Sequence, residues 1–123
     1  MTQTNLVAWV EIPVTDLEAS VAYYDAVFGW KSTIRTDMGP NPIANFNDGE
    51  DAAGGHLYPG KPGKGAGSTA HLVIRDTIEA AADRVVKAGG QVVGPIVDIP
   101  PGRFQYTSDL DGNSIGLFEP KIA

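Results

Sequence analysis

The chain predicts an α+β fold built from two tandem βαβββ modules, and three observations predict it. First, the sequence repeats. Leu17-Glu18-Ala19 and Ile78-Glu79-Ala80 lie 61 residues apart, and the same offset carries Tyr24 onto Val85, Val27 onto Ala88 and Gly29 onto Gly90. Second, each copy runs as a β-branched segment, a polar turn, an amphipathic helix ending at Gly and then further strand-like segments. Third, Gly60 to Gly67 (GKPGKGAG) is a flexible linker by composition and falls where the copies join. A repeat of about 60 residues in this chain implies half-modules packed as one domain. The organisation expected is a single domain over 1–123, with module one at about 1–59, the linker at about 60–67 and module two at about 68–123. A cleft is expected between the halves.

The elements follow in order. Leu6 to Val14 is rich in β-branched and aromatic residues and reads as the first strand. Thr15 or Asp16 caps a helix whose Leu17, Val21, Tyr24 and Phe28 share one face, and Gly29 ends it. Trp30 to Ile34, Ile43 to Asn47 and Gly54 to Tyr58 read as three strands, with a breaker-rich loop at 37–42 and a turn at Asp48-Gly49. In the second copy Thr69 to Arg75 is a strand, capped by Asp76 or Thr77. Its helix directs Ile78, Ala81, Ala82, Val85 and Val86 inward and stops at Gly89-Gly90. Gln91 to Val97 follows, interrupted by Gly94-Pro95; Phe104 to Ser108 and Ser114 to Phe118 form a hairpin around Asp111-Gly112-Asn113. Helices should cover mostly antiparallel sheets.

Composition narrows the function. There is no Cys, which excludes disulfides and thiolate metal sites. A net charge of −6 with scattered Lys and Arg argues against nucleic acid as a partner. Without a long apolar stretch or a charged-then-apolar leader, no membrane partner is expected and the localisation expected is cytoplasmic. Two motifs fail on inspection. Asp109-x-Asp111-Gly112-Asn113 resembles a calcium loop, yet its Gly stands fourth and position twelve is Pro120. Gly60 to Ser68 resembles a phosphate loop, but Ala66 stands where Lys is required.

Asp16-Leu17, Tyr23-Tyr24, Phe28-Gly29, Ala88-Gly89-Gly90 and Gly102-Arg103-Phe104 precede Asp109-Leu110-Asp111-Gly112-Asn113. In that order and spacing, across essentially the whole chain, they resemble the vicinal oxygen chelate superfamily of glyoxalase I, bleomycin resistance proteins and extradiol dioxygenases. Leu110 stands where that turn usually carries Pro. The resemblance implies curved half-barrels with helices outside, a concave ligand cavity and a homodimer. It implies a small organic molecule bound in a cleft between the modules. The alternative is a lyase, isomerase or dioxygenase-type enzyme of the same superfamily.

Metal-using members carry His, Gln or Glu at defined strand positions. Transferred here, the first position is Trp9, the third, by the 61-residue offset, Ala70, and the last Gly116. The remaining one falls near Gly55, one residue from His56. Trp, Ala and Gly cannot coordinate a divalent ion, so no metal cofactor is expected. A rearranged site of His56, His71 and Glu11 is the one alternative; it needs a bulge to turn His71 inward, since a regular strand points it away.

Other candidates carry two readings each. Trp9 is a stacking platform for a planar ligand or a packing residue between modules. Glu11, an acid within an apolar strand, is a catalytic general base if buried in the cavity, or a carboxylate paired with Arg103 or solvent. Arg103 and Gln105 alternate with Phe104 and Tyr106, so one pair faces the cavity. Arg103 would hold an anionic or carbonyl-bearing ligand; Tyr106 would line an apolar one. Phe46 and Phe118 are wall candidates, Met38 a lid residue, and Tyr23 a packing or subunit-contact residue.

Overall fold

The computed structural model describes residues 7–37, 39–48 and 54–121. The first module comprises β1 (Val10–Val14), α1 (Leu17–Phe28), β2 (Ile34–Arg35), β3 (Ile43–Asn45) and β4 (Gly55–Pro59). The second comprises β5 (Ala70–Val73), α2 (Ile78–Lys87), β6 (Gln91–Val92), β7 (Val97–Ile99), β8 (Gly102–Ser108) and β9 (Ser114–Pro120). The two sheets repeat one topology: β1-β4-β3-β2 in the first and β5-β9-β8-β6 in the second, with β7 also pairing β8. Each sheet has a single parallel pair, β1 with β4 and β5 with β9, and is otherwise antiparallel. The α+β fold of two βαβββ modules is therefore present. Module two differs in that its outermost strand is broken at Gly94-Pro95, where Gln105 Nε2 donates to Gly94 O at 2.8 Å.

Local chemistry sets the helix ends. Asp16, not Thr15, caps α1 by accepting from Ala19 N at 3.1 Å, and Gly29 closes it with φ of 73°. Thr77, not Asp76, caps α2, and the Glu119 carboxylate accepts from Ile78 N at 2.9 Å. Ile78, Ala81 and Val85 are buried as expected, whereas Val86 stands 62% exposed because it lies a further 100° round the helix. Trp30 is not in a strand. Its ring stacks on Phe28 and Phe46, both with centroids 5.0 Å away, so β2 begins only at Ile34. The first strand starts at Val10; Leu6, Met38 and Gly49 lie outside the described residues.

One core joins the modules. Ile12, Val14, Tyr24, Val27 and Leu57 pack with Ile74, Ile78, Val85, Ile115 and Leu117, all 4% exposed or less. The turn before β9 fastens this core to module one. Asp109 accepts from the hydroxyl of Tyr24 (2.6 Å) and from the backbone N–H groups of Asp111 and Asn113 (2.9 Å each). Asn113 Nδ2 donates to Pro13 O (2.8 Å), Thr15 Oγ1 donates to Asp111 Oδ1 (2.6 Å), and Arg84 Nε donates to Val27 O (2.9 Å). Burial first, then the adjacent Asp109, pushes the Tyr24 hydroxyl well above its ordinary pKa, and the same causes raise Tyr23. Tyr23 is buried against Gly90, where a Cβ would meet its hydroxyl at 2.3 Å, so it is a packing residue of this chain.

The repeat has two offsets. Helix caps and buried helix residues map at 61, Asp16 onto Thr77 and Tyr24 onto Val85. Strands map at 60: Val10 pairs Gly55 as Ala70 pairs Ile115, and buried Val14 corresponds to Ile74. The extra residue sits between strand and helix, where Arg75-Asp76 replaces Thr15 alone. Since strand faces alternate, this single position changes which residues of β5 share a side with Trp9.

Candidate ligand-binding cleft

β1 and β5 are edge strands of separate sheets, and residues of both line the seam between the modules. A cleft of about 750 Å³ opens there, lined by Val7, Val10, Trp30, Phe46 and Gly54 on one side and by Thr69 to Val73 with Arg75 on the other. Its aromatic wall ends a run of near-parallel rings, Tyr24, Phe28, Trp30 and Phe46, with interplanar angles of 10–23°. Gly55 makes that wall possible: a Cβ there would sit 2.4 Å from the Phe46 ring. Phe46 and His71, two of the residues expected to bind ligand, meet in this cleft.

The sheet faces away from the helices carry the other expected residues, Arg103 excepted. On the second sheet, Val97, Phe104, Phe118 and Val73 form one cross-strand row, and Tyr106, Gly116 and His71 the next. A third row carries hydroxyls, with Ser108 opposite Ser114 and Ser114 bonded to Thr69 at 2.5 Å. His71 stands on this face in a regular strand, contrary to the expectation that a regular strand would turn it away. The reason is the strand offset of 60, which places His71 in register with Glu11. Its ring lies across Gly116, where a Cβ would meet Nδ1 at 2.2 Å, and stands edge-on to Phe104 at 5.2 Å. Phe118 and Tyr106 belong to this face and do not line the seam cleft.

On the first sheet, His56 is held at both ring nitrogens. Trp9 Nε1–H donates to Nδ1 at 2.9 Å, and Nε2 lies 3.3 Å from Glu11 Oε2. A neutral imidazole can accept at one nitrogen and donate at the other, so this arrangement selects the Nε2–H tautomer. Trp9 is therefore neither buried between modules nor part of the cleft wall; it is half-exposed and engaged with His56. Glu11 is exposed, not buried in the cavity, and pairs with His56, not with Arg103.

Arg103 lies on the helix side. It bonds Glu79 at 2.9 Å and Glu119 at 2.6 Å, and Gln105 points the same way, so the aromatic members of the alternating strand, Phe104 and Tyr106, take the open face. These bonds raise the Arg103 pKa and hold the Glu79 and Glu119 carboxyls below their usual range. Arg103 is occupied in fixing the start of α2 and has no part in the cleft.

With the strand offset of 60, the superfamily's third metal position becomes Thr69 in place of Ala70. The set is then Trp9, His56, Thr69 and Gly116: two residues without a donor for a divalent ion, a neutral hydroxyl, and an imidazole hydrogen-bonded at Nδ1 and paired with Glu11 at Nε2. These residues do not fit a divalent ion. The rearranged site is not assembled either, because His56 and Glu11 pair while His71 is packed against Phe104 and Tyr106. Among the described residues no three His, Cys, Asp or Glu side chains converge.

Sequence reasoning missed Trp30, Leu72 and Arg75 as cleft residues. Trp30 was legible only as a strand start, because its signal (an aromatic directly after the helix-ending Gly29) is shared by β-strands and by rings folded back onto a helix.

Residues 6–117 match the family model of the Glyoxalase/Bleomycin resistance protein/Dioxygenase superfamily. Over 115 residues the chain is 30% identical to a Mycobacterium bovis protein named "Putative glyoxylase CFP32", covering 90% of this chain and 44% of that protein. The chain thus spans less than half the length of that curated relative. A glyoxylase-like domain-containing protein of Didymella fabae is 26% identical over 119 residues, covering 88% of each. A glyoxalase/bleomycin resistance protein structure from Albidiferax ferrireducens superposes with a TM-score of 0.69 at 20% identity, over 95% of this chain and 100% of that one. TnmS3, an antibiotic binding protein of a Streptomyces species, gives 0.61 at 26% identity, over 98% and 100%.

Proposed function

Because the chain belongs to the glyoxalase/bleomycin resistance protein/dioxygenase superfamily, we propose that it binds a small, largely apolar organic molecule in the seam cleft, without a metal, and sequesters it unchanged. The observation that carries this reading is the cleft itself: about 750 Å³, walled by Trp30, Phe46, Val10 and Leu72, with His71, Thr69, Asn47 and Arg75 as its polar groups. The donor set at the superfamily's metal positions supports the absence of metal chemistry. Likeness to an antibiotic binding protein supports sequestration as the purpose. A second copy of the chain is the expected partner, covering apolar side chains such as Val73 and Val93 that stand 55% and 62% exposed, and the cytoplasm is the expected setting.

The test is titration with planar aromatic compounds, followed by tryptophan fluorescence and thermal shift. Binding should quench Trp30, raise the melting temperature, persist after exhaustive chelation and leave the compound chemically unchanged. Turnover that appears only when nickel, zinc or manganese is added would sink the reading.

A further inference from the structure

We infer that the cleft takes a peptide-like ligand, bonded through its amides to the edge of β5 that has no strand partner among the described residues, as an added strand. The inference rests on the binding role proposed above and names its ligand class. Five consecutive residues, Thr69 to Val73, line the cleft. A strand presenting a face to a cavity contributes every second residue. An unbroken run means that the main-chain edge is the wall.

The direction of the backbone groups follows from the ladder. Ile74 N–H bonds Phe118 O, and alternate residues of a strand bond to the same side. Ala70, Leu72 and Ile74 therefore direct their N–H and C=O groups at β9, while Thr69, His71 and Val73 direct theirs into the cleft. β5 pairs with β9 alone among the described residues. Such an edge is a template for a further strand.

The facing strand does not fill this role. On β1 the residues bonded to β4 include Val10 and Val14, which leaves Glu11 and Pro13 toward the seam. Pro13 has no N–H, and its carbonyl already accepts from Asn113. Across from β5 the cleft instead offers Trp30 and Phe46, surfaces suited to an aromatic or branched side chain. The ligand chemistry is thus a short, extended segment with consecutive amides and at least one large apolar group.

The test uses the capped tripeptide acetyl-Phe-Ala-Phe-amide, titrated by calorimetry, and two analogues N-methylated at the Ala or at the second Phe. Successive amides of a strand point to opposite sides, so one methylation should weaken binding by roughly tenfold or more and the other should be tolerated. The amide signals of His71 and Val73 should move downfield on binding, with Leu72 little changed. Equal tolerance of both methylations would overturn the inference. So would a β5 edge already paired with a second copy, seen as His71 and Val73 signals that depend on protein concentration and exclude the peptide. Planar aromatics that bind while the tripeptide does not would overturn this inference and leave the binding role standing. Binding of neither class would overturn both.

Discussion

At His56 the two ring nitrogens are committed to Trp9 and Glu11, which turns three suggestive residues into a surface tie with no free nitrogen for a ligand or an ion. His56→Ala should therefore cost about 1 kcal/mol or less in urea unfolding, since the bonds lost are near the surface, and leave the cleft affinity unchanged. Glu11→Gln should likewise bind as the parent does. Tyr24 is the opposite case. Its hydroxyl is buried and bonded to Asp109, so Tyr24→Phe removes one donor from a buried carboxylate and should cost about 1–3 kcal/mol by the same measurement. The raised Tyr23 and Tyr24 hydroxyls also set an alkaline limit. Stability linked to a raised pKa is complete below the ordinary tyrosine value of about 10 and is lost as pH rises toward the folded values. Urea midpoints should fall between roughly pH 9 and pH 11, and fall less in Tyr24→Phe.

Elements act through the contacts that their small residues permit. Gly116 lets His71 lie across β9; in Gly116→Ala the Cβ would meet the imidazole and displace it. The expected result is a shifted His71 ring signal and weaker cleft binding, with the β8–β9 ladder intact because the obstacle is a side chain. Gly55 differs, since a Cβ there would meet Val10 O at 2.3 Å as well as Phe46. Gly55→Ala should cost about 1–3 kcal/mol and loosen the β1–β4 pair, read by urea unfolding and amide exchange. For α2, Thr77→Ala removes the cap at a cost of about 1 kcal/mol.

The whole molecule is two sheets joined by a shared core and by one turn. Asp109, Asp111 and Asn113 hold Tyr24, Thr15 and Pro13, all at the same end of the seam, while the cleft lies where Val7 and Val10 approach the far end of β5. Because the core is common, unfolding should be a single transition by circular dichroism and by tryptophan fluorescence alike. Asn113→Ala should lower the midpoint of both probes together by an equivalent of about 1–2 kcal/mol; separate transitions for the two modules would contradict a shared core.

Much of this was legible from residues in order. The 61-residue repeat, the helix stops at Gly29 and Gly89, a cap at Thr15 or Asp16 and the hairpin before Ser114 all follow from local propensity and period, which neighbours along the chain suffice to set. Face assignment was not, because a strand reverses its faces with a shift of one residue. A single added residue between Ile74 and Thr77 moved the strand register to 60, brought His71 to the open face and substituted Thr69 for Ala70. The side taken by Arg103 depended on Glu79 and Glu119, partners far along the chain. The cleft depended on more still: two strand edges, each without a further strand partner among the described residues, meeting at a seam, a spatial relation that no local signal in the chain encodes.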